Sequence, residues 1–141
     1  MDAIVPIVLD ASVAIKLVIS EPDTPVARER ALTDEERIAP DWMITEVASA
    51  LAKKVRYDAV AVEHAAQALE AMPRFVDRFV ASGPLLRRAL ELSAELDHAL
   101  YDCLYLAVAL DGGGRVLTAD NGFHASATRA GYVAYVDPLG S

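Results

Sequence analysis

The feature that most narrows the folds open to this chain is the regular alternation of short β-branched runs with longer stretches of helical periodicity. Ile4 to Leu9 reads as a strand that stops at Asp10, and ASVAIKLVIS, which follows at once, has the apolar spacing of a helix. Arg37 to Pro40, Phe75 to Val80, Arg115 to Thr118 and Tyr132 to Val136 are further strand candidates. Helical patterns fill the intervals: residues 24–32, 43–57 and 60–72, then LLRRALELSAEL, the segment from Asp97 to Leu110, and 121–130. The punctuation agrees with these boundaries. Asp23-Thr24-Pro25 offers a polar cap and an early proline, Ser82-Gly83-Pro84 closes a strand, and Gly112-Gly113-Gly114 and Gly131 end helices. Parallel strands need crossover connections of about a dozen residues or more, which helices of this length supply. The expected class is therefore α/β, with a mostly parallel sheet of about five strands covered by helices on both faces.

At 141 residues the expectation is one domain spanning 1–141, long enough to bury roughly 68 to 70% of its unfolded surface without a disulfide or structural metal. The single cysteine, Cys103, lies inside an apolar run and is read as a small buried hydrophobe in a reduced, cytoplasmic protein. The first twenty residues are apolar but lack a basic leader, and Asp10 and Lys16 interrupt them, so no membrane segment is expected. The formal net charge of -8 argues against indiscriminate nucleic-acid binding, which depends on Lys and Arg neutralising phosphates. It leaves a nucleic-acid substrate open, because a metal ion can reverse the sign of a small acidic site. Lys53-Lys54-Val55-Arg56 and Arg87-Arg88 are local basic clusters that read first as solvated helix faces.

One carboxylate breaks the apolar run from Ala99 to Leu110: Asp102, flanked by Tyr101, Cys103, Leu104 and Tyr105. A buried, unpaired carboxylate costs several kcal/mol or takes up a proton, so a partner is expected beside it. Ligands in open α/β sheets bind beyond the carboxyl ends of the strands, and Asp10 and Asp120 both follow strand candidates. Glu46 and Asp102 lie near the starts of their helices, which point to that same edge, so all four acids are candidates to converge there. Each also has a local reading. Asp10 and Asp120 are ordinary helix caps, Glu46 an ordinary surface residue, and Asp102 a group that a tyrosine hydroxyl would satisfy. Two carboxylates about 4 Å apart repel by roughly 4 kcal/mol at an effective dielectric of 20, so a cluster of four needs protons or a cation. Oxygen donors alone favour Mg²⁺ or Mn²⁺ over Zn²⁺. His64, His98 and His124 show no metal-ligand spacing and are read as incidental; Asp97 is expected to cap the helix carrying Asp102.

Taken in order, VLDASVAIK, PDWMITEVASAL, LYDCLYLAVAL and LTAD resemble the PIN-domain ribonucleases, and within them the VapC toxin group of bacterial and archaeal toxin–antitoxin pairs. The resemblance covers nearly the whole chain. It implies a three-layer α/β/α sandwich and an acidic Mg²⁺ or Mn²⁺ site formed by Asp10, Glu46, Asp102 and Asp120, with Ser12 and Thr118 as polar supports. Asp10, Asp102 and Asp120 would be metal ligands, and Glu46 a further ligand or the base. It further implies hydrolysis of RNA phosphodiester bonds to a 5′-phosphate and a 3′-hydroxyl, inhibition by a small cognate antitoxin that offers an arginine to the acids, and a homodimer. Two other classes compete. A Mg²⁺-dependent phosphoryl-transfer domain of the dehalogenase type would want Asp-x-Asp where this chain has Asp10-Ala11-Ser12, and a receiver would want an acceptor Asp ending a central strand, which VDRFVASG lacks. A non-catalytic module that binds RNA or antitoxin would be signalled by loss of a site acid, and none of the four is lost.

Overall fold

A computed structural model describes residues 5–140. In chain order its elements are β1 (Ile7–Leu9), α1 (Ala11–Val18), α2 (Thr24–Ala31), β2 (Arg37–Pro40), α3 (Met43–Tyr57), α4 (Val62–Ala71), β3 (Arg78–Val80), α5 (Leu86–Leu96), α6 (Leu100–Gly112), β4 (Arg115–Thr118), α7 (Asn121–Arg129) and β5 (Val136–Pro138). The five strands form one sheet in the order β3-β2-β1-β4-β5, and every pairing is parallel. On one side α1 packs against α2, α3 and α4. On the other, α6 packs against α5 and across β1, β2 and β4, and α7 against α5 and β5. The result is the three-layer α/β/α sandwich. Among the described residues, no helix is long and apolar enough to cross a membrane.

The central position of α6 explains the apolar run around Asp102. Every residue from Cys103 to Ala109 is buried, because the sheet covers one side of the helix and α5 the other. A helix that is apolar all round belongs in a core, and this one is among the core's main components. Helix α1 has a similar pattern on the opposite face, with Ala11, Val13, Ala14, Ile15 and Leu17 all buried.

The strand order contains a switch point. From β1 the chain runs outward through β2 and β3, then returns to the other side of β1 with β4 and β5. The adjacent β1 and β4 pair in the register Ile7↔Arg115, Val8↔Val116 and Leu9↔Leu117, so their carboxyl ends lie level. The loops leaving them diverge to opposite faces, which opens a crevice at that edge. At the other end the two strands start very close together. The Arg115 amide donates to the Pro6 carbonyl at 3.0 Å, and a Cβ on Gly114 would sit 2.9 Å from that same oxygen.

Several boundaries differ from the sequence reading. Ile4 lies outside the described residues, and β1 is Ile7–Leu9. Phe75 to Val80 is not one strand. Residues Met72–Phe75 form a 3₁₀ turn around Pro73, and only Arg78–Val80 pairs with β2. The last strand is displaced in the same way, with a 3₁₀ turn at Val133–Tyr135 before β5 pairs Leu117 with Asp137. Asp97 does not cap α6. It ends α5 in the left-handed region at φ 49°, its amide bonded to the Ser93 carbonyl, while Ala99 opens α6 with no side-chain cap. Aspartate tolerates that conformation better than most residues, and with so short a link between the helices the turn takes precedence over the cap.

Candidate active site

Asp10 is the residue at which β1 becomes α1. Its amide extends the ladder to the Leu117 carbonyl at 3.2 Å, and its side chain caps α1 by accepting from the Ser12 amide at 3.4 Å. The other carboxylate oxygen, Oδ2, accepts from the Thr118 hydroxyl at 2.5 Å. Thr118, fully buried at the end of β4, also accepts the Asp120 amide at 3.0 Å. Ser12 Oγ accepts the Ala119 amide at 2.9 Å and lies 3.4 Å from Thr118 Oγ1. Ser12 and Thr118 thus tie the ends of β1 and β4 together and hold both aspartates in place. Asp120 caps α7 through the Phe123 amide at 3.0 Å. For both strand-end aspartates, the capping role and a position at the crevice hold together.

The remaining acids come from the helices on the two faces of the sheet. Glu46 lies in the first turn of α3 and Asp102 in the first turn of α6. All four carboxylates line one cleft of about 180 Å³, together with Ser12 and the apolar side chains of Ala11, Ile15 and Ala50. A larger depression of about 760 Å³ lies at the starts of β1 and β4. Its Asp137 is already paired with Arg115, so size does not select the chemically interesting site.

Two contacts within this region were not legible beforehand. Tyr105, one turn beyond Asp102 on α6 and completely buried, donates its hydroxyl to Glu46 Oε2 at 2.7 Å while accepting the Ala11 amide at 3.2 Å. The tyrosine partner foreseen for Asp102 therefore serves Glu46. Asp102 instead meets His98, whose Nε2 lies 2.6 Å from Oδ2. This overturns the reading of His98 as incidental: ligand atoms of His98, Asp102 and Asp120 lie within 4.8 Å of one another. The i,i+4 spacing of His98 and Asp102 was a usable signal, obscured because His98 precedes the helix. His64, exposed on α4, and His124 on α7 are outside that group.

Burial makes Asp10, Glu46 and Asp102 reluctant to ionise. The Asp10 carboxyl is pushed up to about 6, chiefly by burial and further by repulsion from Asp102, against the lowering effect of the Thr118 hydrogen bond. Glu46 rises to about 7 through burial and repulsion from Asp10 and Asp102, although the Tyr105 bond opposes this. Asp102 also rises, through burial first and repulsion from Asp120, with the His98 hydrogen bond working the other way. The Tyr105 phenol is held far above its usual range by burial and then by the Asp10 and Glu46 charges, so it remains a donor. Among the described residues, no Lys or Arg forms an ion pair with any of the four acids. Lys54 is engaged with Glu21 on the α1–α3 side, and Lys53, Arg56 and Arg87 are exposed. A cleft of crowded carboxylates with no Lys or Arg paired to them among the described residues, rich in hard oxygen donors, fits a divalent cation of the Mg²⁺ or Mn²⁺ kind.

An all-parallel α/β/α sandwich with acids gathered at its switch point defines a class of acidic-site α/β domains. The PIN domain family model matches residues 7–128, a span that includes all four acids, and the chain belongs to that family. Ribonuclease VapC1 from two strains of Mycobacterium tuberculosis is 28% identical over 116 residues, covering 81% of this chain and 85% of the relative. The crystal structure of PAE2754 from Pyrobaculum aerophilum has the same fold, with a TM-score of 0.68 and 22% identity over 92% of this chain and 90% of that one.

Proposed function

We propose that this protein is a divalent-metal-dependent endoribonuclease that hydrolyses RNA phosphodiester bonds in the cleft between the ends of β1 and β4. The observation that carries the reading is the meeting of Asp10, Glu46, Asp102 and Asp120 around one small cleft with, among the described residues, no Lys or Arg paired to them. The similarity to a protein named Ribonuclease VapC1 supports the substrate class. In this reading Asp10, Asp102 and Asp120 hold Mg²⁺ or Mn²⁺. When bound, the metal polarises the scissile phosphate, lowers the pKa of water and offsets charge developing on the phosphate oxygens.

The chain's own groups have distinct tasks. Thr118 fixes Asp10 through Oδ2, and the shared Thr118–Ser12 contact keeps Asp10 and Asp120 in register. Glu46 is the proton acceptor. Tyr105 occupies Oε2, which leaves Oε1 to take the proton from the attacking water, and a carboxyl near 7 suits a base at neutral pH. Breaking the P–O3′ bond leaves a 3′-hydroxyl and a 5′-phosphate, with no part for the 2′-hydroxyl.

The same charge imbalance supports a role as the toxin of a toxin–antitoxin pair. A small antitoxin that presents an arginine to the cleft would form charge-assisted hydrogen bonds with acids that no Lys or Arg of the described residues pairs. The reading places the protein in the cytoplasm as a homodimer. The test is incubation of purified, antitoxin-free protein with total RNA and Mg²⁺ or Mn²⁺, comparing wild type with Asp10→Asn. Cleavage should fall by about 100-fold or more in the variant; equal metal-dependent cleavage by both would refute the assignment.

A further inference from the structure

We infer that His98 is a nitrogen ligand of the metal centre, and that it tilts the Asp102–Asp120 side of the cleft toward Mn²⁺ over Mg²⁺. The inference rests on the metal-site reading above and adds to it a residue outside the four acids. Its basis is geometric. His98 Nε2 lies 2.6 Å from Asp102 Oδ2, and the donor atoms of His98, Asp102 and Asp120 fall within 4.8 Å of one another. A contact of that length between a ring nitrogen and a carboxylate oxygen needs a shared proton, and a divalent cation can replace that proton when the two atoms move apart slightly to ligate it side by side.

The ring is held from several directions, as a ligand needs to be. Nδ1 lies 3.3 Å from Ser126 Oγ, which Arg129 Nη2 in turn contacts at 3.1 Å. Metal-binding histidines commonly donate the other ring N–H to a fixed acceptor, and with Nδ1–H donating to Ser126 the Nε2 lone pair faces the carboxylates. The Phe123 ring packs beside the imidazole at a centroid separation of 5.4 Å. The backbone is fixed as well: the His98 amide donates to the Ser93 carbonyl at 3.2 Å, and the Ser93 hydroxyl donates to the His98 carbonyl at 2.5 Å. The left-handed turn at Asp97 delivers this residue to the mouth of α6.

Donor chemistry gives the direction of selectivity. Carboxylate and water ligands suit Mg²⁺ and Mn²⁺ alike, whereas imidazole suits transition metals. Adding one nitrogen to a set of oxygens therefore raises affinity for Mn²⁺ more than for Mg²⁺.

The test uses the purified full chain without RNA. Mn²⁺ binding is followed by electron paramagnetic resonance, Mg²⁺ by competition, and coordinated nitrogen by electron spin-echo modulation from ¹⁴N, for wild type and His98→Gln. Glutamine retains a hydrogen-bond donor for Asp102 but is a poor nitrogen ligand, and circular dichroism checks that it folds. The expected result is histidine ¹⁴N modulation in wild type that disappears in His98→Gln, with Mn²⁺ affinity about 10- to 100-fold weaker and Mg²⁺ affinity changed far less. Bound Mn²⁺ with no ¹⁴N modulation, or modulation that persists in His98→Gln, overturns the inference and leaves the nuclease reading standing. Failure of the wild type to bind Mn²⁺ or Mg²⁺ at all overturns both.

Discussion

Tyr105 joins the two faces of the sheet at the cleft: its hydroxyl gives its proton to Glu46 of α3 at 2.7 Å and receives the amide of Ala11 of α1 at 3.2 Å. Tyr105→Phe removes both bonds while nearly preserving the packed volume. A buried amide and a partly buried carboxylate then lose a partner, and the expected loss of stability is about 1–3 kcal/mol by denaturant unfolding. Because the Tyr105 bond lowers the Glu46 pKa, its removal pushes Glu46 higher still. The acidic limb of the RNA-cleavage profile should move to higher pH. A variant with unchanged stability and an unshifted profile would show that this bond governs neither property.

Why Tyr105 escaped the sequence is instructive beside the residues that did not. Asp10 and Asp120 were legible because a strand-to-helix transition places a residue at the sheet edge by local geometry alone. Glu46 and Asp102 followed from the direction of helices in a parallel α/β fold. Tyr105 stands in an apolar helix where an aromatic residue is unremarkable, and its partner is 59 positions away. Its role depends on how two layers meet across the sheet. His98 was hidden differently: its position follows from Asp97 adopting a left-handed turn instead of the N-cap, a choice imposed by the close approach of α5 and α6. Strand starts were misplaced where 3₁₀ turns intervene, at Met72–Phe75 around Pro73 and at Val133–Tyr135, since backbone geometry there outweighs the apolar pattern.

The raised carboxyls predict an unusual pH dependence for stability without divalent metal. Asp10 titrates near 6 in the fold, against an ordinary value of 3.8, so between those values the native state binds more protons than the unfolded chain. Glu46, ordinarily 4.5 and near 7 here, acts in the same sense. Stability is then fullest below about pH 4 for these groups and is lost as pH rises toward 7. For Asp10 alone the effect is on the order of 3 kcal/mol at 1.36 kcal/mol per pH unit. Glu21 and Asp137 have lowered pKa values and act oppositely, but only below their ordinary range, so they do not cancel this window. Asp10→Asn should therefore be more stable than wild type at pH 8 in chelator, with the advantage shrinking by pH 4.5. Urea titrations at the two pH values measure it, and a constant difference would contradict the charging argument.

Gly114→Ala probes the opposite end of the same strand pair. The added Cβ would lie 2.9 Å from the Pro6 carbonyl oxygen and 3.2 Å from Val8 Cγ2. The first of these is backbone, fixed by its hydrogen bond from the Arg115 amide at 3.0 Å, so relief requires the start of β4 to move away from β1. The expected cost is about 1–3 kcal/mol. Gly113→Ala is a useful contrast. No atom lies within 4 Å of its added Cβ, and its cost comes from φ at 70° instead. Amide exchange separates the two: Gly114→Ala should speed exchange in β1 and β4, whereas Gly113→Ala should act mainly at the end of α6.

Metal should oppose the pH trend, because cations and protons compete for the same oxygens. At pH 8 the acids carry the charge a divalent ion needs, and a metal present at about 100 times its Kd adds roughly 2.7 kcal/mol of stability. Near pH 5, below the value of about 6 for Asp10, a proton occupies this metal ligand, and the gain should shrink sharply. Thermal unfolding with 1:1 titrations of Mn²⁺ at the two pH values distinguishes this from nonspecific salt stabilisation, which would act equally at both. In Asp10→Asn the metal-dependent gain at pH 8 should shrink sharply even though the metal-free protein is more stable. The two effects share one origin, the cost of holding a buried charge beside other carboxylates, which the metal offsets and the substitution removes. Equal stabilisation by Mn²⁺ at pH 5 and pH 8 would separate the metal from these acids.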